Sequence, residues 1–323
     1  MKKIFNKKNI ISVGVAVAVY AVLMILSATG LLSKHLQSLL VPAGINVILA
    51  ISLNLTVGFL GELTLGHAGF MSVGAYAGCL FTQYVDLPKA AEFPVAMLIG
   101  GLTAAIFGVI IGIPALRLKG DYLAIVTLAF GEIIRSVINN LEFTGGAGGL
   151  KGIARYSDFT TVYVVAIITL LFTVNLINSR HGRAICAIRD NVIAAESVGI
   201  NVVFYKMLAF VSASFFAGVA GVLYGHNLSI LKPATFDFNK SIEILVIVVL
   251  GGMGSLTGAI ISAIVITILP ELLRGLDDYR MLIYSIVLIL MMLLNNSEKF
   301  KAFKSRIKPT GVAAKDKSAK EVK

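Results

Sequence analysis

The sequence predicts an all-α, polytopic transmembrane helical bundle of about ten spans, and three observations carry the prediction. First, 57% of the 323 residues are hydrophobic and only 14% are charged, whereas about a quarter of a soluble domain is charged. A soluble fold of this length has nowhere to bury so much apolar surface. Second, the apolar residues gather into ten segments, near 10–32, 37–57, 64–84, 94–116, 121–138, 160–178, 206–227, 241–253, 256–273 and 281–295. Most come close to the roughly 20 residues that a membrane-crossing helix needs. Third, bases concentrate at the two ends. Lys2, Lys3, Lys7 and Lys8 precede the first segment, and Lys299, Lys301, Lys304, Arg306 and Lys308 follow the last. Cytoplasmic tails and loops carry such an excess, so both termini are expected in the cytoplasm, which requires an even number of spans.

The net charge of +11 is therefore a topological signal and not a nucleic-acid-binding surface. Ten alternating spans place residues 117–119 and 179–206 inside, and 85–93, 139–159 and 228–240 outside. The outer loops also hold Lys34, Lys89, Lys151, Arg155, Lys232 and Lys240, so the orientation rests on the tails and on 179–206. The first apolar run is too long for a signal-peptide core and no A-x-A cleavage site follows it. It reads as the first span. Cys79 and Cys186 fall at different depths, with no metal-ligating company, so no disulfide is expected.

Polar groups inside apolar segments come next in chain order. Asn54 and Thr56 in the second segment read first as hydrogen-bonding contacts between helices. His67 reads as a packing histidine beside glycines. Glu132 and Arg135 are three residues apart on one helix face and can pair. Charged groups at membrane depth default to function, so Asn54, His67, Glu132 and Arg135 are the candidate lining of a translocation path. Gly66, Gly69, Gly74, Gly78, Gly100, Gly101, Gly108 and Gly112 allow close helix approach.

The glycine-rich TGGAGGLKG at 144–152 is expected to be a flexible outer loop. It lacks the G-x-x-x-x-G-K-[ST] spacing of a phosphate loop. No zinc-protease or nucleophile-elbow motif is present either, so the chain reads as non-catalytic. Segment 241–253 is short and runs into GGMGS; eight spans plus a re-entrant hairpin is the alternative count. GFLGELT (58–64) and GGMGSLT (251–257) share G-x-x-G-x-L-T, which hints at an internal repeat of the transporter kind. The lysine-rich tail 296–323 has no periodic apolar face and is expected to be disordered at the inner surface.

The longest polar interruption is 179–206, SRHGRAICAIRDNVIAAESVGINVVFYK. Asp190 is the expected N-cap of a short helix, and Gly199 its C-terminal stop. Between them NVIAAESV is too short to hold alone in water, so it needs a surface to dock on.

The run Ile193-Ala194-Ala195-Glu196-Ser197-Val198-Gly199 resembles the E-A-A-x-x-x-G loop of membrane subunits of bacterial ATP-binding-cassette importers. The glycine spacing matches, Ile193 replaces the leading glutamate, and the distal I-x-L-P does not appear. LNLTVGFLGELTLGHAGFMSVGAY (53–76), RLKGDYLAIVTLAFGEIIR (117–135), TGGAGGL (144–150), GRAICAIRDNVIAAESVGINVVFYK (182–206) and VVLGGMGSLTGAIISA (248–263) together resemble the branched-chain amino acid importer permeases. The similarity is strongest to the LivM-type subunit. Urea and short-chain amide permeases share the architecture.

This resemblance implies a multi-pass permease domain over 1–295 in the bacterial cytoplasmic (inner) membrane. Its cytoplasmic coupling loop would be 179–206, with Arg189, Asp190, Ala194, Ala195, Glu196 and Gly199 docking an ATPase. It implies a related second permease, two ATPase subunits that use the ATP, and an extracytoplasmic protein that delivers leucine, isoleucine or valine. Membrane lipid is the other expected partner. No cofactor is expected on this chain. A self-sufficient secondary transporter or channel is the competing class, with Glu132 and Arg135 its coupling candidates.

Overall fold

In the computed structural model the described residues are 34–85, 88–118 and 120–273, with Met24, Ser285, Ile286 and Ile289. The expected first span (10–32) and last span (281–295) lie outside them apart from those single residues, and the tail 296–323 lies outside them entirely. The chain divides into two units, Met1–Ile268 and Leu269–Lys323. In the second, the described residues are the end of one helix, residue 273, and helical Ser285, Ile286 and Ile289.

Every expected segment from 37–57 to 256–273 coincides with a helix. α1 is Lys34–Asn54, continued by a π-helical turn over Leu55–Leu60. There follow α2 (His67–Tyr84), α3 (Lys89–Ala115), α4 (Asp121–Asn140) and α5 (Phe159–Asn178). Two helices of the polar stretch come next, α6 (Arg180–Asp190) and α7 (Val192–Ser197). The chain then forms α8 (Val202–Leu228), α9 (Phe238–Gly251) and α10 (Leu256–Leu272). Among the described residues, four helices are long and apolar enough to cross a membrane: Gln37–Leu60, Ala91–Ala115, Phe159–Asn178 and Val202–Leu228. α9 has 14 residues, about 21 Å at the helical rise against a hydrocarbon core of about 30 Å.

α1 is apolar all round and buried, as such a helix must be. Residues 45–57 are all buried. α2, α3 and α8 pack on one another through glycines. A Cβ added at Gly74 would strike the Gly218 backbone, and one at Gly221 would strike the Met71 carbonyl. With no side chain between them at these points, the backbones come close enough for dispersion contact. α3 and α5 turn apolar residues outward. Leu98, Leu102, Ile106 and Ile110 recur every fourth residue on α3, and Val164, Ile168 and Phe172 do so on α5. Such faces belong against lipid or an apolar partner.

The helix after α1 does not begin at the end of the bundle. Residues 61–66 leave the π turn as irregular chain and climb back, so that His67 Nε2 lies 2.8 Å from Ser52 Oγ. Ser52 is eight residues before Leu60, about 12 Å along α1. Irregular backbone at such depth is stable only where protein groups satisfy it. Thr127 Oγ1 accepts from the Leu65 N–H at 3.0 Å, and Ser241 Oγ accepts from the Ala68 N–H at 3.2 Å.

At one end, loops expected on a common side are joined. β1 (Leu150–Lys151) pairs antiparallel with β2 (Ile230–Leu231), which links 139–159 to 228–240. Gln83 at the end of α2 donates to the Lys151 carbonyl at 2.7 Å, and Tyr76 donates to the Leu231 carbonyl at 2.8 Å. The glycine-rich stretch 144–152 follows a 3-10 turn at Glu142–Thr144, passes through a second at Gly146–Gly148 and leads into β1. Its glycines serve geometry. Gly149 has φ +76 and lies so close to Leu231 that a Cβ would meet its carbonyl oxygen at 2.5 Å.

Candidate functional site

The opposite end carries the polar stretch. Ser179 caps α6, its Oγ accepting from the N–H groups of His181 (3.1 Å) and Gly182 (3.3 Å). α6 is amphipathic: Ala184, Ile185 and Ile188 face the bundle, while Arg183, Arg189 and Asp190 are exposed. This helix was not read from the sequence, although a Ser cap ahead of apolar residues three apart (185, 188) is its signature.

The expected cap at Asp190 is corrected. Asp190 is the last residue of α6, and its carboxylate holds the Arg189 guanidinium at 3.0 and 3.1 Å. Asn191 does the capping: its Oδ1 accepts from the Ala194 N–H at 3.0 Å. Its extended backbone (φ −162) both ends α6 and opens α7. The expected stop at Gly199 holds. With φ +83 it donates to the Glu196 carbonyl, and Ile200 donates to that of Ala195, which together form a Schellman closure. Asn191→Ala is expected to weaken α7 by about 1 kcal/mol. Amide exchange over 194–197 should quicken while exchange in α8 stays unchanged.

α7 seats on the bundle through Ala195, which is 3% exposed in a cluster with Leu55, Leu60, Ile185, Ile188 and Ala209. Ala195 thus faces inward, whereas Ala194, Glu196 and Gly199 face outward. The sequence reading missed the apolar part of this surface. Ile193 and Val198 are 79% and 74% exposed, and Val203 and Phe204 continue the patch onto α8. Apolar residues at exposed positions of a polar loop were the available signal.

Beneath α7, three separate stretches of chain meet. The π turn sends the Glu62 N–H to the Thr56 carbonyl (3.1 Å), and not to Gly58 as a continuing α-helix would. The Gly58 carbonyl accepts from the Arg189 guanidinium at 3.2 Å. The Arg189 stem crosses Gly61, where an added Cβ would meet its Cγ at 2.7 Å. Lys206, at the exit of the loop, forms a buried ion pair with Glu62. From the far side, Asn54 reaches the GGMGS turn. Its Oδ1 accepts from the Gly254 N–H at 2.9 Å and its Nδ2 donates to the Ser255 carbonyl at 3.2 Å. The two G-x-x-G-x-L-T pieces touch, for a Cβ on Gly58 would strike the Gly254 nitrogen. Their second glycines, Gly61 and Gly254, share a left-handed backbone, φ +80 and +81.

The four candidate path residues are not brought together. Asn54 holds the GGMGS turn, and His67 bonds Ser52. Glu132 and Arg135 pair with each other at 2.6 Å and are about one-third exposed. A cavity of about 500 Å³, lined by residues of α2, α3 and α4 including Val73, Tyr76, Phe107 and Ile134, contains none of the four.

A bundle of apolar helices, four of them among the described residues long and apolar enough to cross a membrane, with apolar faces turned outward and a polar loop seated at one end, is the build of a multi-pass membrane protein. The family described as branched-chain amino acid transport system, permease component, matches residues 35–294. The chain is 36% identical over 310 residues to the high-affinity branched-chain amino acid transport system permease protein LivM of Escherichia coli K12, covering 85% of this chain and 72% of that protein. It is 37% identical over 284 residues to LivM of Salmonella typhimurium, covering 77% and 66%. The ribose import permease protein RbsC of Haemophilus influenzae is a more distant relative, 26% identical over 285 residues, with 81% and 85% covered. The chain belongs to the branched-chain amino acid transport permease family and is of the LivM type. No solved structure matches it.

Proposed function

We propose that this chain is a membrane-spanning, non-catalytic subunit of an importer for leucine, isoleucine and valine in the bacterial cytoplasmic membrane. ATP hydrolysis on separate subunits drives the cycle. The observation that carries the reading is the outward face of α7. A six-residue helix is capped at both ends, seated by Ala195, and left with Ile193, Ala194, Glu196 and Val198 uncovered. A helix of this length persists only when docked, and its free face is apolar at the centre with charge at the rim, as docking patches are. Asp190, Glu196 and Gly199 border that face and Ile193 is its anchor, so the position where the wider importer motif carries an acid here supplies hydrophobic contact. On this reading 179–206 is cytoplasmic, the joined β1–β2 loops face the delivering binding protein, and a related permease completes the pore. The relatives support such pairing, for a permease named LivM and one named LivH both occur in Methanocaldococcus jannaschii.

Ile193→Asp is expected to weaken ATPase-subunit association by about ten- to a hundredfold, the scale of an anchor residue's loss. The folding of this chain should be unaffected, because the side chain is already exposed. Co-purification with the two ATPases, followed by ATP-driven uptake of leucine, urea and acetamide in proteoliposomes, tests the reading. Full assembly of the Ile193→Asp variant removes the docking face. Uptake of urea or acetamide in preference to leucine removes the substrate class.

A further inference from the structure

The geometry points to Arg189 as the positioning residue that ties the coupling loop to the contact between the two G-x-x-G-x-L-T motifs. This inference rests on the importer reading above. The loop meets the bundle through apolar packing around Ala195 and through two charged contacts with the first motif, the Lys206–Glu62 ion pair and Arg189. Arg189 differs in where it ends. Its stem lies across Gly61 of the first motif, and its guanidinium donates to Gly58 at 3.2 Å. The same Nη1 lies 3.7 Å from where a Cβ of Gly254 would stand, in the second motif. Buried Asn54, four residues before Gly58, bonds Gly254 and Ser255, and the Gly58 carbonyl itself lies beside Gly254. Arg189 is thus separated from the docking helix by two residues, Asp190 and Asn191, and is attached to the meeting point of α1 with the α9–α10 turn by a charge-assisted bond.

Two features suit this point to a change of position. Gly61, Gly252 and Gly254 hold positive-φ backbones, which glycine exchanges for negative-φ ones with little steric penalty. The carbonyl that Arg189 uses lies in the last turn of the helix, where carbonyls lack intrahelical partners, and that turn is a π turn, a local irregularity common at functional sites. A loop displaced by an ATPase would carry Arg189 with it, and the Gly58–Gly254 contact would follow or break. An arginine serves here because one planar fork bonds Asp190 on the loop and Gly58 on the bundle together.

The test uses the complete transporter in proteoliposomes, comparing Arg189→Gln and Arg189→Lys with the parent. The readouts are ATPase-subunit association, ATP hydrolysis, and leucine moved per ATP. In the complexes that assemble, Arg189→Gln is expected to lower leucine moved per ATP about tenfold, within the range that single positions contribute to coupling. Arg189→Lys, which keeps the charge and one donor, should fall between. A parental ratio in either variant overturns the inference. So does lost association with an unchanged ratio in the complexes that remain, which would make Arg189 a docking contact only. Should Arg189→Gln not accumulate in the membrane, the Lys variant decides. Failure of the parent chain to bind ATPases at all would instead overturn the importer reading.

Discussion

Replacing Lys206 with methionine should destabilise the folded chain by about 3–5 kcal/mol, the cost of stranding a buried carboxylate without its partner. The Lys206 side chain is 6% exposed and that of Glu62 14%, so water compensates neither. Methionine fills the space of the lysine stem, which leaves the lost charge as the main change. The double variant Lys206→Met, Glu62→Leu removes both charges and should recover most of the loss, because the desolvation of the pair disappears with it. Unfolding of the purified protein in detergent measures both. Equal destabilisation in single and double variants would show that packing, and not the ion pair, holds this contact. The opposite case is Arg135→Ala. Its pair with Glu132 is about one-third exposed, and partly exposed pairs contribute about 1 kcal/mol or less.

Asn54→Ala ranks second in expected effect. The side chain is fully buried and satisfies two backbone groups of the GGMGS turn, one as acceptor and one as donor. Truncation leaves the Gly254 N–H without a partner in the bundle, at about 1–3 kcal/mol, while the Ser255 carbonyl keeps its bond from the Ala259 N–H at 3.0 Å. The void adds a further penalty. The turn between α9 and α10 should loosen first. Amide exchange at Gly254 is expected to accelerate far more than exchange in α2 or α8, and uniform acceleration across the bundle would mean that Asn54 acts through general packing.

Much of the fold was legible because membrane helices announce themselves by length and hydrophobicity. Every apolar segment within the described residues proved helical, and Gly199 closed its helix through a local rule that needs no tertiary context. What was misread had a definite cause. Asp190 and Asn191 are both good caps, and the choice between them depended on where α6 ends, which rests on Ile185 and Ile188 meeting Leu55 and Leu60. The glycines of 144–152 did not reveal the close approach that β1 makes to β2, which needs both stretches in view. Lys206 looked like one more base in a cytoplasmic loop, and Asn54 like a contact between neighbouring helices. Their partners lie 144 and about 200 residues away, beyond any local pattern. The candidate path residues fared as separate local contacts, because sequence shows that a polar group is costly at depth without showing what it faces.

The glycine-to-glycine packing of α2, α3 and α8 has a consequence for how the protein is made. α2 and α3 leave the ribosome as a hairpin that is complete at Ala115, but the helix that fits their grooves ends only at Leu228. At ordinary elongation rates that interval is on the order of ten seconds. During it the smooth faces around Gly74 and Gly100 meet lipid, or any other small-residue helix in the bilayer, before their own partner exists. Assembly quality in the cell should therefore depend on translation speed across 116–201, and synonymous codons that slow this stretch should raise the fraction of chain degraded without altering the finished molecule.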